Sequence, residues 1–378
     1  MGNCNSQPLS KVKNTELLAN KKPDVQKEKP KKVCAKKDDS EQDSEQKSAK
    51  ENIIIETSRD KSRPYFSFNA FFYQNEKPQI FDWLFLQELC NGATSQIYLV
   101  KNVETQVVCV AKVYNNSILY RQPLGNEIPP IDSFNKEIDV MCQLTYPHIM
   151  SYHEMVDDQM TNSKILVLPY ASLGNLKTAM SNNQISYENL IVCWYQIAGA
   201  LEYMHSHGLA HRDICPENIL VFVENYFCIH HFKSATKVDS PDLSRTFGTF
   251  RFLAPEELNG KIHDVRKSDV WELGITIYWA FFRKKPFDLD IVQIDDKPYK
   301  YEKLYQHIMQ KSLEIPKIDS ISTEVTDLLS TMLEKDPEKR PNFSTILESH
   351  VFDDARMLRF NDTISGEISL TGEAPKSG

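Results

Sequence analysis

The octet His211-Arg212-Asp213-Ile214-Cys215-Pro216-Glu217-Asn218 sets an acid and an amide five residues apart, directly before the strand-like run Ile219-Leu220-Val221-Phe222. Two such side chains leaving one short loop face one cleft. The blander reading of the octet is a charged turn before a strand. A second stretch bearing chemistry is Met1-Gly2-Asn3-Cys4-Asn5-Ser6. Removal of Met1 exposes Gly2, with Ser6 at the position an N-myristoylation signal requires, and Cys4 beside it is a candidate palmitoylation site. One acyl chain binds a bilayer only marginally, and a second signal makes the anchoring stable.

The octet resembles the catalytic loop of the protein kinase superfamily, and the resemblance runs from about Asp82 to Phe352 with each motif in the family's order. It implies that Asp213 accepts the proton of the hydroxyl being phosphorylated and that Asn218 holds a metal ion against the ATP phosphates. Where the family carries Asp-Phe-Gly, this chain reads His231-Phe232-Lys233, so the metal-gripping carboxylate is an imidazole. Magnesium wants oxygen ligands, whereas nitrogen suits zinc or copper. The adjacent His230 does not make a transition-metal site, because neighbouring strand side chains point to opposite faces. Cys215 stands where serine/threonine kinases usually carry a lysine that neutralises the transferring phosphate, and it reads as a buried, inert thiol. Lys233 replaces the family's glycine and reads as solvent-facing.

These residues must be held by elements with their own signals. Trp83 to Leu89, Gln96 to Val103 and Gln106 to Val113 are three β-prone runs joined by short turns. Between the first two, Leu89 to Ile97 takes the place of a glycine-rich loop but keeps only Gly92, with Cys90 and Ser95 at the outer positions. Fewer glycines mean looser approach of backbone amides to phosphate. Val110-Ala111-Lys112 resembles the third-strand motif. After an irregular insert from Asn115 to Ile131, Asp132 and Ser133 are N-cap residues expected to open a helix carrying Glu137, with Met141 one turn on. Tyr187 to His207 has the apolar spacing of a long buried helix that delivers the chain to the octet.

The resemblance assigns further roles. It pairs Lys112 with Glu137, sandwiches adenine between Ile97, Ala111 and Leu220, makes Leu168 the gatekeeper and places Tyr170 in the hinge. Met141, His211 and Phe232 become a packed column between lobes. Glu256 is expected to pair with Arg340, and Asp269 to tie down the catalytic loop. Ser244 and Thr246 are sites whose phosphates would pair with Arg212, and Thr249 with Pro216-Glu217 suggests serine/threonine ancestry.

Of the chain's 44 basic and 52 acidic residues, 14 and 11 fall in residues 1–62, leaving 30 and 41 beyond, a net charge of −11 that argues against nucleic acid as a partner. Ten lysines between positions 11 and 37 face only Glu16, Asp24 and Glu28, an excess that favours an anionic cytoplasmic leaflet. The eight cysteines show no paired metal-ligand spacing and no secretory signal precedes them, which fits a reducing compartment. The expected organisation is a disordered, lipidated basic tether at 1–62, an extension at 63–81 that docks on the domain, and a kinase-like domain at 82–352. Ile53-Ile54-Ile55 and the aromatic stretch Tyr65 to Tyr73 break the N-terminal tail's polarity and are expected to dock on the domain rather than form a site. That domain comprises a small lobe at 82–168 and a large lobe at 171–352, followed by a loosely ordered tail at 353–378.

The expected fold is α+β and bilobal, with a small, mainly antiparallel β lobe carrying one long helix and a larger helical lobe. The resemblance and its departures together imply a pseudokinase on the cytoplasmic face of a membrane. It would accept ATP with magnesium binding weakened or absent, and would act as a scaffold or allosteric partner of an unspecified protein. The alternative is an active, atypical serine/threonine kinase using Asp213 as base and Asn218 for one metal ion. A third reading is an interaction module that no longer binds ATP.

Overall fold

The computed structural model describes residues 53–56, 78–122, 128–240, 248–260, 262–287 and 299–357. Gly2, Cys4, Ser244, Thr246 and most of the expected extension lie outside the described residues. The small lobe is a curled sheet of β1 (Ile53–Glu56), β2 (Gln79–Ile80), β3 (Trp83–Asn91), β4 (Gln96–Asn102), β5 (Val108–Asn115), β6 (Glu154–Asp158) and β7 (Ser163–Pro169). Their spatial order is β1-β6-β7-β5-β4-β3-β2, and every pairing is antiparallel except that of β1 with β6.

Strand alternation decides which side chains face the site. Tyr98, Val100, Ala111, Val113, Ile165 and Val167 share one buried cluster. Lys112 and Tyr114, two residues apart, therefore share the opposite face, and Tyr114 belongs to the other core cluster. Register places Lys112 opposite Ile97 on one side and Leu166 on the other.

Four expectations about organisation are corrected. First, the tether does not run unbroken to residue 62: Ile53–Ile55 docks on the domain as its apolar character implies, with Ile53–Glu56 pairing in parallel with β6. The small lobe also begins before residue 82, because β2 pairs with β3, Ile80 is buried and the Pro78 carbonyl accepts the Phe85 amide at 2.8 Å. Second, the insert after Asn115 is not wholly irregular: Asn115 caps a short helix α1 (Asn116–Leu119), pinned by buried Leu119. Third, the next helix, α2 (Pro130–Gln143), opens at Pro130 rather than at Asp132 or Ser133. Proline at the first helical position has its φ already set and lacks only an N–H that would have no helical partner; Asp132 falls in the first turn, where its charge favours the helix dipole. Fourth, the tail beyond Phe352 begins with a helical stretch at 353–357, where Ala355 is buried and Arg356 Nη2 donates to the Leu347 carbonyl at 3.2 Å.

The large lobe contains α3 (Leu176–Ser181), α4 (Tyr187–Ser206), β8 (Leu209–Ala210), β9 (Ile219–Val223), β10 (Tyr226–Ile229), β11 (Thr236–Lys237), α5 (Pro255–Leu258), α6 (Val265–Phe282), α7 (Lys300–Gln310), α8 (Thr323–Met332) and α9 (Phe343–Leu347). Ser186 caps α4 by accepting the Asn189 amide, and the helix buries Leu190, Ile191, Trp194, Ile197, Ala198, Leu201 and Met204, the positions its spacing marked. Strands β9 and β10 form a hairpin, and β8 pairs with β11. The octet runs between β8 and β9, one strand from each pair. No helix among the described residues is long and apolar enough to cross a membrane.

Candidate active site

The octet is suspended from α6 by a stripe of polar side chains. Asp269, fully buried, accepts the backbone amides of His211 at 2.9 Å and Arg212 at 2.8 Å, and its Oδ2 lies 2.7 Å from His205 Nε2. One turn on, Glu272 accepts the Ile214 amide at 2.7 Å, and Thr276 donates to the Ile214 carbonyl at 3.1 Å. Positions 269, 272 and 276 lie on one helical face. Sequence reading found Asp269 only through the resemblance and missed Glu272 and Thr276; the i, i+3, i+7 polar spacing was the available signal.

His211 is a neutral imidazole by its hydrogen bonds. Nε2 lies 3.0 Å from the His230 carbonyl, which can only accept, and Nδ1 accepts the Asp213 amide at 3.2 Å. Burial lowers its pKa. Its ring meets the Phe232 ring edge-on at 5.5 Å, and Phe232 and Met141 are both buried while α2 packs on the Phe232–Ser234 turn. The three residues expected in the inter-lobe column thus occupy one continuous buried region.

Asp213 is held by a residue that the sequence marks only as a sign of serine/threonine ancestry. Thr249 donates to Asp213 Oδ1 from both its backbone amide and its hydroxyl, each at 2.8 Å. The hydroxyl also lies 3.7 Å from Cys215 Sγ. Cys215 is buried and its thiol is pushed up to about 12, mainly by burial, which makes it inert. The preceding Gly248 has φ +94°, and a Cβ there would sit 2.5 Å from the Arg212 carbonyl oxygen, so only glycine allows this approach. Asn218 spends its amide nitrogen on the Asp213 carbonyl at 2.8 Å, leaving its oxygen as the atom that could serve a cation.

Arg212 is wholly buried, with Nε 3.9 Å from Glu257 Oε1. Glu257 also accepts the Ala254 amide, and burial raises its carboxyl to about 8. Glu256 and Arg340 meet as sequence comparison with the family suggested, with Nη2 2.8 Å from Oε2.

On the small-lobe side, Lys112 Nζ lies 3.1 and 3.3 Å from the two oxygens of Glu137, and the Tyr114 hydroxyl donates to Glu137 Oε2 at 3.4 Å. Burial pulls the Glu137 pKa up, but Lys112, then Lys233 and His231, outweigh it and hold the carboxyl below its ordinary range. Ile97, Leu168, Tyr170 and Leu220 are half-buried and Ala111 is buried, while Gly92 is exposed in a turn whose amide donates to the Ser95 carbonyl at 2.9 Å.

His231 takes a left-handed backbone, φ 72°, and its Nε2 stands 3.9 Å from Asp213 Oδ2. His230 turns instead to the Glu217 carbonyl at 3.2 Å. Among the described residues no group of three or more His, Cys, Asp or Glu side chains could hold a metal ion. The expectation that Lys233 faces solvent is corrected: it is half-buried, with Nζ 5.9 Å from the centroid of Tyr114, the ring over which Lys112 lies at 5.4 Å. The turn after left-handed His231 brings Lys233 beside α2 rather than outward.

His230 makes the domain acid-sensitive. Burial, then the neighbouring His231 and Lys112, lowers its pKa from 6.5 to about 3. As pH falls, the unfolded chain takes up this proton first, so the group's stabilisation is complete above pH about 6.5 and is lost progressively below it. Urea unfolding of the wild type should therefore lose stability more steeply than His230→Gln between pH about 7.5 and about 5. Parallel slopes would exclude His230 as the source.

The sequence model for the protein kinase domain matches residues 83–352. Among curated proteins, serine/threonine-protein kinase ULK3 of Xenopus laevis is 26% identical over 304 residues, covering 79% of this chain and 60% of that protein. PLK4 of Xenopus tropicalis is 26% identical over 301 residues, covering 79% and 29%. Maternal embryonic leucine zipper kinase of Xenopus tropicalis is 30% identical over 234 residues, covering 61% and 33%. The chain thus spans 60% or less of the length of these relatives.

Proposed function

The chain belongs to the protein kinase domain family, and on that premise we propose that it is a membrane-tethered pseudokinase: a nucleotide-binding kinase fold that serves as a scaffold or allosteric partner in signalling and transfers phosphate poorly or not at all. The observation that carries this reading is His231, standing where the family grips its metal, with its imidazole 3.9 Å from Asp213 and the ammonium-bearing Lys233 two residues on. Nitrogen donors beside a lysine do not fit magnesium, which demands oxygen ligands. Phosphoryl transfer depends on positioning and charge neutralisation. Losing the metal carboxylate, the loop lysine at Cys215 and two glycines beside Gly92 removes much of both. Membrane attachment rests on Gly2, Cys4 and the flanking lysines.

The active-kinase reading is favoured by specific geometry: the Lys112–Glu137 pair is closed and Asp213 is held by Thr249. The two readings separate in one assay. Incorporation of labelled γ-phosphate from ATP and magnesium into generic protein substrates should be the same for wild type and Asp213→Ala. Transfer by the wild type above that baseline would establish the active enzyme. In the same preparations Gly2→Ala should move the protein from the membrane to the soluble fraction, and persistence at the membrane would remove the acylation proposal.

A further inference from the structure

We propose that Lys233 is a phosphate-binding residue, supplying to a nucleoside polyphosphate held without divalent metal the positive charge that the family obtains from its metal. The assignment rests on the nucleotide-binding reading above and names the ligand form the site selects.

Three features of the cleft converge on it. Lys112 and Lys233 both place their ammonium groups within 6.0 Å of the Tyr114 centroid, 5.4 and 5.9 Å away, so two cations from different lobes share one small region. The single carboxylate there, Glu137, is engaged by Lys112 at 3.1 Å and by the Tyr114 hydroxyl. Among the described residues no carboxylate lies within ion-pair distance of Lys233, although the residue is half-buried. Glu137 attracts Lys233 only from beyond ion-pair distance and is shared with Lys112, and burial with the Lys112 charge outweighs that attraction, so an arriving polyanion would supply the charge still lacking. The surroundings also discriminate between ligand forms. Where the family offers magnesium a carboxylate, an ion here would meet the His231 imidazole and the Lys233 ammonium, with only Asp213 and the Asn218 oxygen remaining as oxygen donors, whereas a metal-free triphosphate carries more negative charge and meets the lysines favourably.

Lys233 is placed to do this by its turn. His231 is left-handed and Phe232 is sunk in the core against His211, so the 3₁₀ turn Phe232–Ser234 is fixed on α2. A glycine in this place would leave only backbone; the lysine fills the same position with a charge.

The experiment is calorimetric titration of the intact chain with ATP and with adenosine, in magnesium and in chelator, for wild type, Lys233→Gln and Lys233→Arg. Wild type should bind ATP equally well in both buffers. Lys233→Gln should weaken ATP in chelator by about tenfold or more, equivalent to losing one charge-assisted contact, and leave adenosine within about twofold. Lys233→Arg should retain ATP affinity, and unliganded Lys233→Gln should melt no lower than wild type, which separates a binding loss from misfolding. ATP affinity unchanged in Lys233→Gln, or wild-type binding that requires magnesium, would overturn the role of Lys233 while leaving nucleotide binding standing. No binding of ATP or adenosine by the wild type would overturn both.

Discussion

Asp269→Ala should cost the domain roughly 3–9 kcal/mol, because it leaves the buried amides of His211 and Arg212 and the His205 imidazole without their acceptor, at about 1–3 kcal/mol for each unsatisfied group. For a domain of this size a loss of 1 kcal/mol lowers the midpoint by about 2–4 °C, so a fall on the order of 10 °C is expected. Asp269→Asn keeps one carbonyl oxygen but turns an amide donor toward the other contacts, and should fall between the two. Scanning calorimetry reads the result directly. A drop smaller than about 3 °C for the alanine variant would mean that the loop is held from elsewhere. Glu272 and Thr276, which bind Ile214 from the same helix, are then the groups to remove next.

Arg340→Ala should be comparably severe. Arg340 is buried, pairs with Glu256, donates to the carbonyls of Lys267 at 3.0 Å and Glu334 at 2.6 Å, and lies 4.9 Å over the Trp271 ring. Removing one partner of a buried pair costs about 3–5 kcal/mol, since the other charge stays behind uncompensated. The distinguishing measurement is a double-mutant cycle with Glu256→Gln. If the loss arises from the stranded carboxylate, the double variant should recover part of it, giving a coupling energy of about 1–3 kcal/mol. Additive losses would place the effect in the lost carbonyl and ring contacts instead.

The pattern of what could be read from sequence follows the range of the interactions. The strand of Lys112 was legible from its β-prone run, although its role came only through the resemblance, and Tyr187 to His207 was legible because one long amphipathic repeat marks both its type and its buried positions. Thr249 was read only as a sign of ancestry because its contact with Asp213 spans 36 residues and no local period reports it. The opening of α2 was misplaced because two start signals compete, and the prolines at 129 and 130 act before Asp132 does. Ile53 to Ile55 was legible as a docking segment because three β-branched residues interrupt a polar stretch, but its partner strand, about a hundred residues away, leaves no local signal. Lys233 was sent to solvent because an isolated lysine usually goes there. The left-handed residue that redirects it is His231; histidine is enriched in that backbone region relative to other non-glycine residues, but the conformation is still uncommon enough that sequence alone does not mark it.

The pairing of β1 with β6 has a consequence for handling the protein as well as for its architecture. Without β1, the sheet would end at Glu154–Asp158 with a row of open amides and carbonyls, the surface on which foreign chains add strands and aggregates begin. At the far end β2 is only two residues long and starts after Pro78, which offers little to extend. Among the described residues, the β6 margin is thus covered by an upstream segment of the same chain. A fragment trimmed to the helical and β core, beginning after Glu56, would expose that margin to self-association.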